Sequence, residues 1–324
     1  MPEPIFYRIR DEFAPGSNSE MHEALPTWAL SYLKIVVRRQ QPAANSDLTV
    51  RDLVSFISRI AVYVRGATVF DLDGEAAFMT GAFLYCKSVP FLKRALNNAN
   101  SQHFATIYVP FSRKPLMPTS GIKPVARGES VLYMRFGTVP TNTAMSIYAV
   151  GWRDNAPDWT VRCTRYSQNI TTTGPNDLIL APVGPILGFI FNESNPKETA
   201  TTTLMSELRF LIQGVEDTLI SYDLNALTSD RALTTMIPTD TEEHAHIENL
   251  AGAYTQNATT TSRTLSAAEL TRYFPLLLDE LYDPDAVIAV APGVDVRLRT
   301  VATGTGTLNV ILVEMFTIPE PRPT

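Results

Sequence analysis

The sequence predicts an all-β protein whose two halves repeat one design, with short helices in the insertions. Short segments of alternating apolar and polar residues recur along the chain. Proline recurs between them, as in β-rich proteins with many turns. The 324 residues correspond to about two average domains. Apolar residues make up 45% of the composition and charged residues 19%, which is enough for sizeable cores and excludes a disordered chain.

One strand–glycine–strand unit occurs twice. Residues 58–73 and residues 206–223 each contain an alternating strand, a glycine and a second alternating strand. The period of two predicts strands with one buried face. Gly66 and Gly214 hold the equivalent positions, 148 residues apart. A glycine there suits a tight connection between strands.

Three further features follow the same order in both halves: an opening strand, a short Tyr-containing segment and a closing pair of long strands that indicates a hairpin. The opening strands are residues 30–37 and 186–191. The Tyr-containing segments are residues 108–111 and 273–276. The closing pairs of strands are residues 131–152 and 296–316. The offset grows to 165, which indicates an insertion at 225–272. Because this insertion is rich in Thr, Asn, Ser and Ala, we expect residues 225–265 to form an exposed loop at an outer or lateral surface.

Two segments are helix candidates. The Ala-, Phe- and Leu-rich stretch 74–96 is predicted to be helical, with breaks near Gly81 and Pro90. A second short helix is expected to begin near Ser266, where Glu269 is placed to complete a capping box.

The duplicated strand unit and the two closing strand pairs resemble the double jelly-roll major capsid proteins of tailless icosahedral viruses with an internal membrane. These include the tectivirus, corticovirus and finnlakevirus groups. The resemblance covers residues 28–316 and depends on pattern and order. It implies two tandem eight-stranded jelly-roll barrels. The expected parts are an N-terminal arm at 1–26, a first barrel at 27–156 and a second barrel at 157–324, which includes a linker at 157–175 and the insertion at 225–272.

The same resemblance implies a structural protein of the virion, and no enzyme. Three subunits would form a pseudo-hexagonal capsomer of six barrels, with neighbouring capsomers, minor capsid proteins and vertex proteins as partners. The arm at 1–26 would run towards the internal membrane or a neighbouring subunit, or be a frayed terminus. Folding would take place in the host cytoplasm.

Charge disfavours direct binding of nucleic acid. The net charge is −6, and basic residues stand together only in pairs, such as Arg38-Arg39 and Lys93-Arg94. A protein that grips phosphates needs a basic face or arm. The N-terminus has no signal-peptide pattern, and the uncharged stretch 178–191 is too short for a spanning helix, so we expect a soluble chain.

No residue pattern predicts a catalytic, cofactor-binding or metal site. His244 and His246 are the only close histidine pair, and no later histidine completes a cupin-like set. The sequence Gly304-Thr-Gly306 lacks the Gly-Lys-Ser/Thr of a phosphate loop. Cys86 and Cys163 are too few for a disulfide framework, and we expect free thiols.

Two other functions remain as alternatives. One is a receptor- or carbohydrate-binding jelly-roll spike, for which the nearby Trp152 and Trp159 are a weak indication. The other is a cupin-like metal enzyme.

Overall fold

The computed structural model describes residues 2–42, 48–86, 91–93, 100–193, 204–223, 273–278, 287–291 and 293–320. The chain divides into two compact units. The first unit runs to Cys163 and also includes residues from Phe316 onwards, whereas the second unit begins at Thr164. The boundary expected from the sequence lay after residue 156.

The first unit has two rows of hydrogen-bonded strands, in the orders β1-β9-β3-β7-β6 and β5-β4-β8-β2. Helix α1 precedes β4, and helix α2 follows β5. The strands are β1 (Pro4–Phe13), β2 (Glu20–Ala24), β3 (Ala29–Gln40), β4 (Ile57–Val64), β5 (Ala67–Leu72), β6 (Phe91–Lys93), β7 (Gln102–Pro110), β8 (Ser130–Phe136) and β9 (Thr143–Trp152), and the helices are α1 (Val50–Val54) and α2 (Gly74–Tyr85).

The second unit also has two rows, in the orders β15-β12-β17-β10 and β11-β16-β13-β14. The chain passes from the first unit to the second within β10. The strands are β10 (Thr160–Ile170), β11 (Gly174–Leu180), β12 (Ile186–Glu193), β13 (Met205–Ile212), β14 (Val215–Asp223), β15 (Tyr273–Leu277), β16 (Val296–Ala302) and β17 (Gly306–Phe316).

The strand orders of the two units correspond strand for strand. The row β7-β3-β9-β1 has its counterpart in β15-β12-β17-β10, and the row β5-β4-β8-β2 has its counterpart in β14-β13-β16-β11. Each counterpart also comes at the same point in its half of the chain. The predicted fold, two similar barrels in tandem, is therefore confirmed.

The glycine connections that first suggested a repeat are the same turn in both units. Arg65 and Gly66 join β4 to β5 with φ of 50° and 78°, and Gln213 and Gly214 join β13 to β14 with φ of 51° and 78°. Two successive residues with positive φ are the signature of a type I′ turn, whose twist matches that of antiparallel strands. Glycine at the second position avoids the steric cost of this backbone conformation.

The predicted closing hairpins are wrong, although all four strands exist. β8 pairs with β4 and β2, while β9 pairs with β3 and β1. In the second unit β16 pairs with β11 and β13, and β17 pairs with β12. Each connection therefore carries the chain from one row to the other. Alternation identifies a strand, but it does not say which strand lies beside it.

The N-terminal segment differs from the expected arm. β1 pairs antiparallel with β9, and β2 pairs antiparallel with β8, so most of 1–26 lies in the first unit's strand rows. β1 is an edge strand whose register shifts twice, between Arg8 and Arg10 and between Arg10 and Phe13. Such irregularities interrupt the alternation of apolar and polar residues. The sequence alone therefore did not indicate this strand. The expected linker at 157–175 similarly contains β10 and the start of β11.

Helix α2 begins where the sequence predicts but continues through Gly81. Its N-cap is Asp73, whose carboxylate accepts a hydrogen bond from the backbone N–H of Ala76 at 2.8 Å. Gly81 is a close-packing position, because a Cβ there would overlap the carbonyl oxygen of Tyr108 on β7. The predicted break at Gly81 is thus wrong. Pro90, the insertion 225–272 and the helix expected at Ser266 lie outside the described residues.

Each unit has its own buried interior. In the second unit Phe189 of β12 and Phe210 of β13 meet across the core, with ring centroids 5.7 Å apart. In the first unit Phe70, Phe78 and Phe111 are fully buried. In the part of the chain that is described, no helix is long and apolar enough to cross a bilayer.

Candidate assembly surfaces

The residues that follow β17 pack onto the first unit, and we call residues 317–320 the tail segment. Ile318 is only 3% exposed. The guanidinium of Arg65 donates a hydrogen bond to the carbonyl oxygen of Pro319 at 3.1 Å. Lys123 forms an ion pair with Glu320. The tail segment is therefore held by the burial of Ile318, by the hydrogen bond to Pro319 and by the ion pairs of Glu320 with Lys123 and Arg65.

Two carboxylates of this contact have lowered pKa values. A hydrogen bond from the Arg65 side chain lowers the pKa of Glu129, helped by the backbone N–H of Ala126. The ammonium of Lys123 lowers the pKa of Glu320 through a hydrogen bond and its charge, and Arg65 adds a smaller effect. Both carboxylates favour the ionised form when paired.

The outer edge of β1 is a second candidate surface. Strand β1 lies at the end of its row, so one side of its backbone has no neighbouring strand among the described residues. Phe6 and Tyr7 are exposed on it, and the guanidinium of Arg8 lies 5.7 Å from the ring centroid of Tyr148. Edge strands with exposed aromatic side chains are ready contact sites for another chain.

The exposed large apolar side chains of the described residues occur in both units. In the first unit they are Phe6 and Tyr7 on β1 and Leu92 on β6, and these two strands lie at opposite ends of one row. In the second unit they are Ile179, Val183, Val215 and Val287. The aromatic pair on β1 is therefore the candidate interaction surface. These residues stand in connections and edge strands, where a single apolar residue gives no periodic signal in the sequence.

A cleft of about 320 Å³ lies where β1 and β3 end and β7 and β9 begin. Its lining is a mixture of polar and apolar side chains and is formed by Glu12, Phe13, Ala14, Arg38, Gln40, Gln102, Asn142, Thr143 and Ala144. Glu12 and Arg38 are paired with each other. Trp152 is buried, so it cannot serve as the exposed aromatic platform that a carbohydrate-binding spike would need.

The chemically reactive residues singled out in the sequence do not converge on a site. His244 and His246 lie outside the described residues. Cys86 and Cys163 are free thiols, and burial raises the pKa of Cys86 to about 11. Gly304 lies in the short connection between β16 and β17. Within the described ranges, no three His, Cys, Asp or Glu side chains form a group that could hold a metal ion.

Comparison with known proteins gives matches in structure only. No protein-family model and no curated protein sequence matches the chain. The major capsid protein of bacteriophage PM2 is similar with a TM-score of 0.58 at 10% identity, covering 99% of both chains.

Two further solved structures have higher scores. A chain in the atomic structure of Sulfolobus Turreted Icosahedral Virus has a TM-score of 0.67 at 10% identity, covering 98% of this chain and 91% of that one. A chain of the PBCV-1 virus capsid has a TM-score of 0.61 at 7% identity, covering 97% and 94%.

Coverage is nearly complete on both sides of each match, so the likeness includes both units and not one barrel alone. It agrees with the strand-for-strand correspondence between the two units. The chain therefore has the double jelly-roll fold found in the major capsid proteins of icosahedral viruses.

Proposed function

We propose that this protein is the major capsid protein of an icosahedral virus, with a structural and not an enzymatic role. One observation carries the proposal: both units follow the same strand order, and the whole chain is similar to major capsid proteins over nearly their full length. A receptor-binding spike or a cupin-like enzyme would need only one such barrel.

The proposed assembly unit is a homotrimer. Three copies of a two-barrel chain give six similar blocks, which form a pseudo-hexagonal tile. Threefold closure makes the contact between subunits heterologous, so the first unit of one copy meets the second unit of the next. We expect this interface to be obligate and to bury more than about 2,000 Å². The exposed aromatic edge of β1, with Phe6 and Tyr7, is a surface suited to such a contact.

The proposed partners are neighbouring capsomers, minor capsid and vertex proteins, and an internal membrane. The proposed location is the virion shell, after folding in the host cytoplasm. Direct binding of nucleic acid is not part of the proposal. Arg38 is paired with Glu12, and Arg39 donates a hydrogen bond to the carbonyl oxygen of Asp52, so this basic pair is engaged within the chain. Of the pair Lys93-Arg94, Arg94 lies outside the described residues.

The membrane contact first expected for the arm at 1–26 needs another location. Strands β1 and β2 take up 15 of those residues and pair with β9 and β8. Paired strands are not free to extend towards a vesicle. We therefore propose that any contact with the membrane is made by residues outside β1 and β2.

Light scattering coupled to size-exclusion chromatography tests the proposal on the purified full-length protein. We expect a stable species at three times the subunit mass of 35.8 kDa. Negative-stain microscopy of concentrated material should show hexagonal tiles or closed shells. A protein that stays monomeric at all concentrations and forms no tiles would contradict a capsid role.

A further inference from the structure

Two strand edges are covered within the chain, whereas the edges of their counterparts are open. The first residues of β10, up to Cys163, belong to the first unit, where β10 is the neighbour of β5. The guanidinium of Arg162 there donates a hydrogen bond to the carbonyl oxygen of Thr68 at 3.0 Å. The counterparts of β10 and β5 are β1 and β14, and each of these ends its row with one edge open among the described residues.

The starts of β5 and β14 correspond residue by residue. Val64 pairs with Ala67 across the type I′ turn of the first unit, and Ile212 pairs with Val215 across that of the second. Val215 therefore holds the place of Ala67, directly before the position equivalent to Thr68. In the second unit, the position that receives Arg162 in the first unit is thus next to Val215.

The starts of β1 and β10 also correspond. Pro4 of β1 pairs with Trp152, the last residue of β9. Arg162 of β10 lies with its guanidinium carbon 5.4 Å from the ring centroid of Phe316, the last residue of β17. Each strand therefore begins beside the end of its neighbour in the row. The part of β1 equivalent to the start of β10 is its own first few residues.

Exposure differs sharply between these equivalent segments. At the start of β10, Val161 and Cys163 are each only 1% exposed. At the start of β1, Phe6 is 68% exposed and Tyr7 is 53% exposed. Val215, at the start of β14, is 70% exposed. Large apolar groups are therefore left in solvent on both open edges, at the places where the covered edges meet within the chain.

The open edge of β1 also presents main-chain hydrogen-bonding groups. The N–H of Arg153 donates to the carbonyl oxygen of Glu3 at 3.3 Å, so this cross-strand pair is hydrogen-bonded. Hydrogen-bonded pairs alternate with non-hydrogen-bonded pairs along antiparallel strands, and the register with β9 is regular from Pro4 to Arg8. The backbone groups of Phe6 and Arg8 therefore point away from β9, towards the open edge.

We propose that β1 of one copy lies against β14 of the next copy and repeats there the junction of β10 with β5. This inference rests on the proposed homotrimer and names the two strand edges that meet in it. Three copies supply three edges of each kind, and all are covered when the ring closes. Main-chain hydrogen bonds join the strands, and the contact brings Phe6 near Val215, where burial of both side chains stabilises it.

The edges of β2 and β11 do not offer the same argument. They are counterparts of each other, and both are open among the described residues. A contact between copies at either edge would have no precedent within the chain. The pair β1 and β14 is favoured because the chain already contains its equivalent.

Cysteine crosslinking of the full-length trimer, isolated by size-exclusion chromatography, tests which edges meet. The test protein is the double variant Phe6→Cys with Val215→Cys, treated with a short bifunctional maleimide. We expect covalent dimers and trimers on a denaturing gel. The two single variants should give neither, and they also control for reaction of the native Cys86 and Cys163. The matched control combines Phe6→Cys with Leu92→Cys, since β6 lies at the opposite end of the row from β1.

A second pair of variants tests the main-chain contact. Phe6→Pro and Phe6→Ala both remove the aromatic ring, and only the proline also removes the N–H that points to the open edge. Pairing with β9 should persist in both, because this N–H is not directed at β9. We expect the concentration at which trimers dissociate to be about tenfold higher for Phe6→Pro than for Phe6→Ala. Equal concentrations would overturn strand pairing at this edge.

Light scattering on the wild type separates the inference from the proposed function. A wild type that forms trimers and tiles, with no crosslink in the double variant Phe6→Cys with Val215→Cys, overturns the inference and leaves the capsid role standing. A crosslinked dimer of Phe6→Cys alone also overturns it, since β1 would then pair with itself. Equal crosslinking in the control with Leu92→Cys does the same. A wild type that stays monomeric contradicts the proposed function, and the inference falls with it.

Discussion

Arg65 and Glu129 are joined twice, through the main chain and through their side chains. The N–H of Arg65 donates to the carbonyl oxygen of Glu129 at 2.7 Å, and the guanidinium Nε lies 3.0 Å from a carboxylate oxygen of the same residue. In the second unit Gln213 makes the same main-chain bond to Asp295 at 2.8 Å, without a matching ion pair. The shared fold thus keeps the backbone contact, and only the first unit adds the charges.

Replacing Arg65 with glutamine, the residue found at this turn in the second unit, should weaken the tail segment. The change removes the ion pairs to Glu129 and Glu320 and the hydrogen bond to Pro319. We expect the melting temperature to fall by about 2–4 °C, as for the loss of one modest interaction in a unit of this size. The reverse change, Gln213→Arg, serves as the control and should leave it within a degree or so. Equal shifts for both variants would show that Arg65 does not hold the tail segment.

The tail contact should weaken in acid. The pKa of Glu320 and that of Glu129 are lowered in the folded state, so their contribution is complete above the ordinary glutamate pKa of about 4.3 and is lost as the pH falls through the lowered values. Glu320→Gln should therefore be less stable than wild type at pH 7, and the difference should shrink as the pH falls below the ordinary glutamate value. Thermal scans across this range measure the difference. A gap of constant size at all pH values would rule out the ionic explanation.

Gly81→Ala should be strongly destabilising even though alanine favours helices. The added methyl would overlap the Tyr108 carbonyl oxygen and push α2 away from β7. We expect a loss of about 1–3 kcal/mol after the gain in helix propensity is subtracted. Gly304→Ala is the matched control, because a Cβ at that position meets no atom within 4 Å. If both variants melt together with the wild type, the close approach at Gly81 is not a constraint on packing.

Tyr85→Phe should reveal a buried hydroxyl contact. The hydroxyl of Tyr85 donates to the carbonyl oxygen of Ser112 at 2.6 Å, and its burial raises the pKa of Tyr85. Removing it leaves a buried acceptor short of a partner and should cost about 1–3 kcal/mol. The exposed Tyr7→Phe should be neutral. Ultraviolet titration of the wild type and of Tyr85→Phe provides a second check. The variant should lose a tyrosine that ionises above the ordinary tyrosine pKa of about 10, and loss of one that ionises in the ordinary range would contradict the burial of Tyr85.

The parts of the fold that could be predicted are those in which local chemistry decides. Gly66 and Gly214 identified the repeat, because a type I′ turn needs positive φ whatever surrounds it. The alternating residues of β4 and β13 are visible in the sequence, because one face of each strand is buried. These signals are contained within a few residues.

The parts that could not be predicted depend on partners distant in sequence. The interruption expected at Gly81 followed from helix propensity, whereas the position is fixed by Tyr108 on another element. The expected hairpins failed because the neighbours of β8 and β9 lie far away in the chain.

The two register shifts in β1 affect how the protein can self-associate at high concentration. A regular strand at the edge of a sheet would pair with the same edge of another molecule. Repeated pairing of this kind would produce open-ended fibrils. The irregular spacing around Arg10 interrupts that ladder after a few residues. Many copies can thus be present at high concentration without pairing along this edge into an unlimited ladder.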